Sequence, residues 1–167
     1  AQIKEAGALN TSFVDLLVGN CGGTIGETCA IALILGGVYL IVKKVISWRT
    51  PVVYIATVLV LTYIFKLSGI EAASARQPIQ ELFAGGLMLG AFFMATDYAS
   101  TPVTPKGNII MGLGCGIITV LIRVFGGYPE GVSYSILLMN LAAPLIDRYT
   151  APKKFGYVKP VKVKEVK

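Results

Sequence analysis

Five stretches of 15 or 16 residues carry no charged side chain, and they limit what this chain can fold into more than any other feature. They lie between Glu27 and Lys43, Arg49 and Lys66, Glu81 and Asp97, Lys106 and Arg123, and Glu130 and Asp147. A helix crossing ~30 Å of hydrocarbon needs about 20 residues, roughly 17 at the short end. Each run therefore reaches across only with its flanking residues, Lys and Arg stems snorkelling to the interface. One such run suits a buried core helix in water. Five in 167 residues do not, because only 14% of the chain is charged and 54% is hydrophobic, with a mean hydropathy of +0.71. An average soluble domain is about 25% charged. The fold class expected is an all-α integral membrane protein with about five transmembrane helices plus a short half-helix.

The chain divides into three regions. Residues 1–25 read as a linker, a half-helix and a Gly-rich loop; "AQIKEAGALNTS" looks like a continuation of something upstream, and Ser12 to Val18 is too short to span. Residues 26–149 form the transmembrane domain, with spans expected near 26–42, 51–65, from about 78 through "FAGGLMLGAFFMATD", 107–124 and 132–146. Residues 150–167 are a basic tail. Pro51 suits the first turn of the second span, where a missing N–H costs little. Gly86 and Gly90, four apart, have the small-xxx-small spacing that lets helices approach closely, and Gly112, Gly114 and Gly116 read as packing positions. Asn140 in the last span reads as an interhelical hydrogen-bonding residue. Five crossings is an odd number, so a second five-helix copy joined to this one would be inverted, an arrangement that places sites on broken helices near the midplane.

Lys and Arg set the orientation. Alternating the loops puts Lys43, Lys44, Arg49, Lys106 and the tail, 11 of the 15 basic residues, on one side, with Lys4, Lys66, Arg76 and Arg123 on the other. The C-terminus is then cytoplasmic and the start of the chain outside. The net charge of +6 is mostly this tail, a topology signal suited to anionic lipid. Nucleic acid is excluded as a partner, because the tail offers no base-stacking platform beyond Phe155 and Tyr157. Cys21, Cys29 and Cys115 form no C-x-x-C and there is no His, which argues against haem, Cys/His zinc or a four-Cys cluster within the chain.

Two segments break the apolar rule. One is "GNCGGTIGET", where Asn20, Gly22, Gly23, Thr24, Glu27 and Thr28 lead into the first span, Glu27 at its mouth. The other is "ATDYASTPVTPKGN", where Asp97 is followed by Thr101 and Thr104, each directly before a proline that bars helix continuation. Irregular backbone near a membrane is tolerated where protein buries it or where it lines a wet cavity. Glu27 reads either as a carboxylate offsetting a helix dipole or as part of an ion or cofactor site. Asp97, which ends the third span, likewise reads either as a structural residue or as part of such a site. The two fall on opposite faces in this topology and suit the two ends of one ion pathway that includes Thr101 and Thr104. No metal-ligand set stands out.

"LLVGNCGGTIGETCAIALILGGVYLIVKKVISWRTPV", "FFMATDYASTPVTPKG" and "VFGGYPEGVSYSILLMNLAAPLIDRYT" together resemble the D subunits of Rnf complexes. They resemble less closely the related B subunits of sodium-translocating NADH:quinone reductases. The resemblance covers nearly the whole chain. It implies a subunit of a ferredoxin:NAD+ oxidoreductase in the bacterial or archaeal plasma membrane that couples electron transfer to Na+ or H+ translocation, not catalytic alone. Its partners would include a second covalent-FMN subunit and iron–sulfur subunits. It also implies a ten-helix, urea-transporter-like fold of two inverted five-helix repeats, this chain being the second. The family holds FMN on the Thr of a Ser-Gly-Ala-Thr type motif that is absent here, since Thr11 follows Asn10. The attachment is therefore expected upstream, with Asn20, Gly22, Gly23, Thr24, Glu27 and Thr28 beside the flavin; riboflavin is a further possible cofactor. Two rival readings stand beside this one: half of a solute channel or transporter without a redox cofactor, and a structural anchor for redox partners.

Overall fold

The apolar runs become helices of unequal length. The computed structural model describes residues 29–68, 82–83, 86–126 and 131–151. Its elements are α1 (Ala30–Val42), α2 (Arg49–Leu67), a short α3 (Leu87–Leu89) that continues as a π-helical turn (Gly90–Met94), α4 (Pro105–Phe125) and α5 (Val132–Thr150). All regular structure among the described residues is helical. The expected half-helix, the Gly-rich loop and the basic tail lie outside them.

α2 and α4 are long and apolar enough to cross a membrane. At 1.5 Å per residue they extend roughly 28 and 31 Å. α1 is apolar but has only 13 residues. Its end is set by backbone hydrogen bonding rather than by a glycine. Lys44 takes a left-handed φ of 57°, and the Lys44 and Val45 amides donate back to the carbonyls of Ile41 and Leu40. This is a Schellman turn, normally built on glycine because a Cβ is disfavoured at that φ. It turns residues 45–47 across the end of the bundle.

α4 is the centre of the bundle, and its glycines explain why. A Cβ on Gly112 would stand 2.8 Å from the Thr50 carbonyl oxygen, and one on Gly116 would stand 2.6 Å from Thr57 Cβ. One turn apart, these residues let the α2 backbone lie directly on α4. On another face, a Cβ on Gly114 would overlap Met139 of α5. Gly90 likewise makes room for Val132. The packing role expected for these glycines is what the structure shows.

Deep between the three long helices, Tyr54 of α2 has its hydroxyl 2.6 Å from Thr119 Oγ1 of α4 and 3.1 Å from Ser135 Oγ of α5. Thr119 also stands 2.8 Å from Ser135, which donates to the Val132 carbonyl. One assignment uses every proton: Tyr54 donates to Thr119, Thr119 to Ser135, Ser135 to Val132. All three side chains are fully buried, and an unpaired hydroxyl there would cost about 1–3 kcal/mol. The exterior is the reverse of a soluble surface: Leu35, Val42, Val60, Leu67, Leu137 and Leu141 are all exposed.

The third run departs from expectation. It is not one regular helix over the described residues, but a short α-helical turn that widens at Gly90, where the Ala95 amide reaches the Gly90 carbonyl at 2.7 Å. An i→i+5 bond adds a residue to the turn and rotates the residues after it, Thr96 and Asp97. The glycine that makes the widened turn is the one Val132 packs against.

Replacing Gly112 by Ala is expected to lower stability by about 1–3 kcal/mol, since the atom in the way is backbone and cannot swing aside. Denaturant unfolding of the full-length subunit in mild detergent would register the loss; an unchanged midpoint would show that α2 and α4 are not in this contact.

A polar cleft at the Asp97 end

The π-helical turn, the α1–α2 connection and the first turns of α2 and α4 converge on one end of the bundle. They enclose a cleft of about 220 Å³. Val45, Ile46 and Ser47 come from the α1–α2 connection, Thr50 from α2, Asn108 from α4, and Thr96, Asp97, Tyr98, Thr101, Pro102 and Val103 from the segment that joins the π-turn to α4. Asp97 is the sole charged residue in this lining.

The segment from 95 to 104 has no helical ladder, so other groups take up its hydrogen bonds. The Thr101 hydroxyl donates to the Ala95 carbonyl at 3.2 Å, and the Thr101 amide to the Asp97 carbonyl at 3.1 Å. Ser100 donates to the Asp97 carboxylate at 3.2 Å. At the far end the Asp147 carboxylate of α5 accepts from the Val103 amide at 3.1 and 3.4 Å. Thr104 shares a hydrogen bond with Thr150 and accepts from the Gly107 amide at 3.0 Å, which makes it the N-cap of α4, with Pro105 in the first helical position. The segment is thus pinned to the last turns of α5 on one side and to α4 on the other.

Two positive groups at this end rest on aromatic rings. The Lys43 ammonium lies 5.8 Å from the Tyr39 ring centre, and the Arg49 guanidinium 5.8 Å from that of Trp48. Both distances suit cation–π attraction. Asp97 itself is exposed.

Of the residues expected to carry function, Asp97 and Thr101 meet in this cleft. Thr104 does not line it, and its hydroxyl is engaged in capping. Asn20, Gly22, Gly23, Thr24, Glu27 and Thr28 lie outside the described residues. Two side chains that the sequence did not bring forward complete the lining. Thr50 and Asn108 are 1% and 8% exposed, yet Thr50 Oγ1 and Asn108 Oδ1 have no hydrogen-bond partner among the described residues. A signal for Asn108 was available: it stands four residues before Gly112, on the face of α4 that meets α2. The cleft lining does not suit a flavin phosphate, because its charge is a carboxylate and it holds no Lys or Arg, with Lys43 and Arg49 resting on aromatic rings.

Thr104→Ala should cost about 0.5–2 kcal/mol through the lost cap, whereas Thr104→Ser should be nearly neutral. Amide exchange at Gly107 and Asn108 should quicken in the alanine variant; equal exchange in both would show that Thr104 does not cap α4.

The chain also matches proteins of known family. A sequence profile of the NQR2, RnfD, RnfE family matches residues 1–156. The chain is 51% identical over 157 residues to the D subunit of the Na(+)-translocating ferredoxin:NAD(+) oxidoreductase complex of Acetobacterium woodii, covering 93% of this chain and 46% of that protein. It is 52% identical over 154 residues to the D subunit of the proton-translocating ferredoxin:NAD(+) oxidoreductase complex of Clostridium ljungdahlii, covering 92% and 46%. Identity to the D subunit of the ion-translocating oxidoreductase complex of Ectopseudomonas mendocina is 40% over 158 residues, covering 95% and 44%. The chain therefore spans about half the length of the curated relatives it matches. With the helical architecture, the apolar exterior and the profile match all in agreement, the chain belongs to the NQR2, RnfD, RnfE family.

Proposed function

We propose that this chain is the second five-helix half of a D-type subunit of an ion-translocating ferredoxin:NAD+ oxidoreductase. The observation that carries the proposal is the similarity to D subunits over more than nine-tenths of the chain. Within the complex it serves the ion side of the coupling, for Na+ or H+. Asp97 and Thr101 sit at the cytoplasmic mouth of the pathway, at the end of the bundle carrying Lys43, Lys44, Arg49 and Lys106, in accord with the positive-inside rule. Residues 20–28, with Glu27, sit at the outer end. The remainder of the subunit forms an inverted partner repeat, completing a ten-helix, urea-transporter-like fold. Other membrane subunits and iron–sulfur subunits complete the complex.

FMN, esterified to a Thr outside residues 1–167, supplies the electron chemistry when bound. The roles of this chain are to hold polar backbone and Asn20, Thr24, Glu27 and Thr28 against it, to exclude bulk water, and to admit a cation at the Asp97 cleft. The Asp97 carboxylate, in a lining it shares with Thr96 and Thr101, supports the last role: it can attract a cation.

Ultraviolet fluorescence of the full-length subunit on a denaturing gel, followed by mass mapping of the fluorescent peptide, tests the flavin part. A fluorescent band whose modified peptide lies before Ala1 agrees with the proposal. A dark band, with no flavin in the native complex, favours a cofactor-free transporter half instead.

A further inference from the structure

The cleft is short of hydrogen-bond donors. Thr50 and Asn108 are each more than nine-tenths buried, and Thr50 Oγ1 and Asn108 Oδ1 have no hydrogen-bond partner among the described residues. Buried polar atoms are nearly always satisfied, and an amide oxygen can only accept. The Asp97 carboxylate is a third acceptor in the same lining. Three oxygens and one negative charge match a lysine ammonium, which carries three donors, one positive charge and no acceptor. Taking the cytoplasmic mouth proposed above as its basis, we infer that the cleft is the docking socket of the chain's own basic tail, entered by the ammonium of Lys153 or Lys154.

The basic residues of the bundle itself do not fill the socket. No Lys or Arg lines the cleft, and Lys43 and Arg49 rest on the Tyr39 and Trp48 rings. The tail, residues 152–167, lies outside the described residues and holds six lysines against one Glu. Its charge is the complement of the single carboxylate in the lining. The N-termini of α2 and α4 oppose a cation here. Thr104 engages the Gly107 amide, and the Asp97 charge offsets the rest.

α5 delivers the tail to this place. Asp147 and Thr150 at its end hold Val103 and Thr104, and Val103 lines the cleft. Ala151 then leaves the helical region, with φ −52° and ψ 129°, as the residue before a proline prefers. Lys153 and Lys154 follow three and four residues after Thr150. Their backbone reach is at most about 10–14 Å, lengthened by a flexible four-carbon stem. On the ion-translocating reading, the tethered ammonium straps the mouth until an entering cation displaces it.

Zero-length carbodiimide cross-linking of the purified intact complex tests the contact, because it joins only a carboxylate and an amine that already touch. Mass mapping should find an amide between Asp97 and Lys153 or Lys154, absent from the double variant Lys153→Gln, Lys154→Gln. Thr50→Val keeps the side-chain shape and removes a hydroxyl with no hydrogen-bond partner among the described residues, so the variant should fold. It and Asn108→Leu should each lower the linked fraction by about fivefold or more, and Thr50→Ser should restore it. A linked fraction unchanged in both Thr50→Val and Asn108→Leu would show a loose surface encounter and overturn the socket. Asp97 joined instead to a lysine of another subunit, or to no amine while other carboxylates link, would overturn the tail as occupant. These results leave coupled ion uptake in vesicles, and so the functional reading, in place. A wild-type complex that moves electrons without moving ions would remove that reading and the strap role together.

Discussion

The contact of the α2 backbone with Gly112 and Gly116 of α4 is the constraint on which the rest of this structure depends. No side chain longer than hydrogen leaves room for Thr50, Val53 and Thr57 at that distance. In a bilayer there is little hydrophobic drive to bring helices together, so close van der Waals packing and interhelical hydrogen bonds must hold them. This bundle uses both. The glycine seam brings α2 onto α4, and one turn beyond Gly116 the Tyr54, Thr119 and Ser135 hydroxyls tie in α5. At the other end of the same seam stand Thr50 and Asn108. The stability of the bundle and the geometry of its polar cleft are therefore set by one stripe of α4.

The cleft also depends on two departures from regular helix. Lys44 ends α1 in a left-handed conformation and sends residues 45–47 over the end of the bundle. Gly90 lets Val132 in and widens the helix into a π-turn, after which Asp97 reaches the cleft. A left-handed non-glycine residue such as Lys44 carries a conformational cost of about 1–3 kcal/mol, which persists where surrounding structure fixes it. Asp147 and Thr150 of α5 hold the far end of the Asp97 segment through Val103 and Thr104. Asp97 is thus supplied by an irregular segment anchored at both ends.

Much of this was legible in the sequence, for definite physical reasons. Charge-free runs must be helical if they lie in a membrane, since backbone polar groups have no water to pair with, and α1, α2, α4 and α5 fall on four of the five runs. Gly112, Gly114 and Gly116 announced close packing because spacing on a helix maps directly to a face. Asp97 and Thr101 announced a polar break because they follow a long apolar run and precede prolines that bar a helix, and both line the cleft. The π-turn was hidden, because a hydrogen-bond shift of one residue leaves no mark in composition. Thr104 looked like Thr101 in sequence, but its place at the start of a long helix makes it a cap. Thr50 and Asn108 were hidden because they come to line one cleft only when two helices distant in the chain pack together. The expectation that Asn20 to Thr28 stand beside a flavin comes from the family resemblance, and these residues lie outside the described ones.

Everything proposed for the Asp97 cleft depends on which side of the membrane it faces. Tyr98 lines the cleft and is 76% exposed, so a cysteine there reports on access without disturbing the core. In a full-length subunit whose own cysteines have been replaced, Tyr98→Cys should react with a membrane-impermeant maleimide in inside-out vesicles and be protected in right-side-out ones. Labelling confined to right-side-out vesicles would invert the topology and contradict the cytoplasmic mouth.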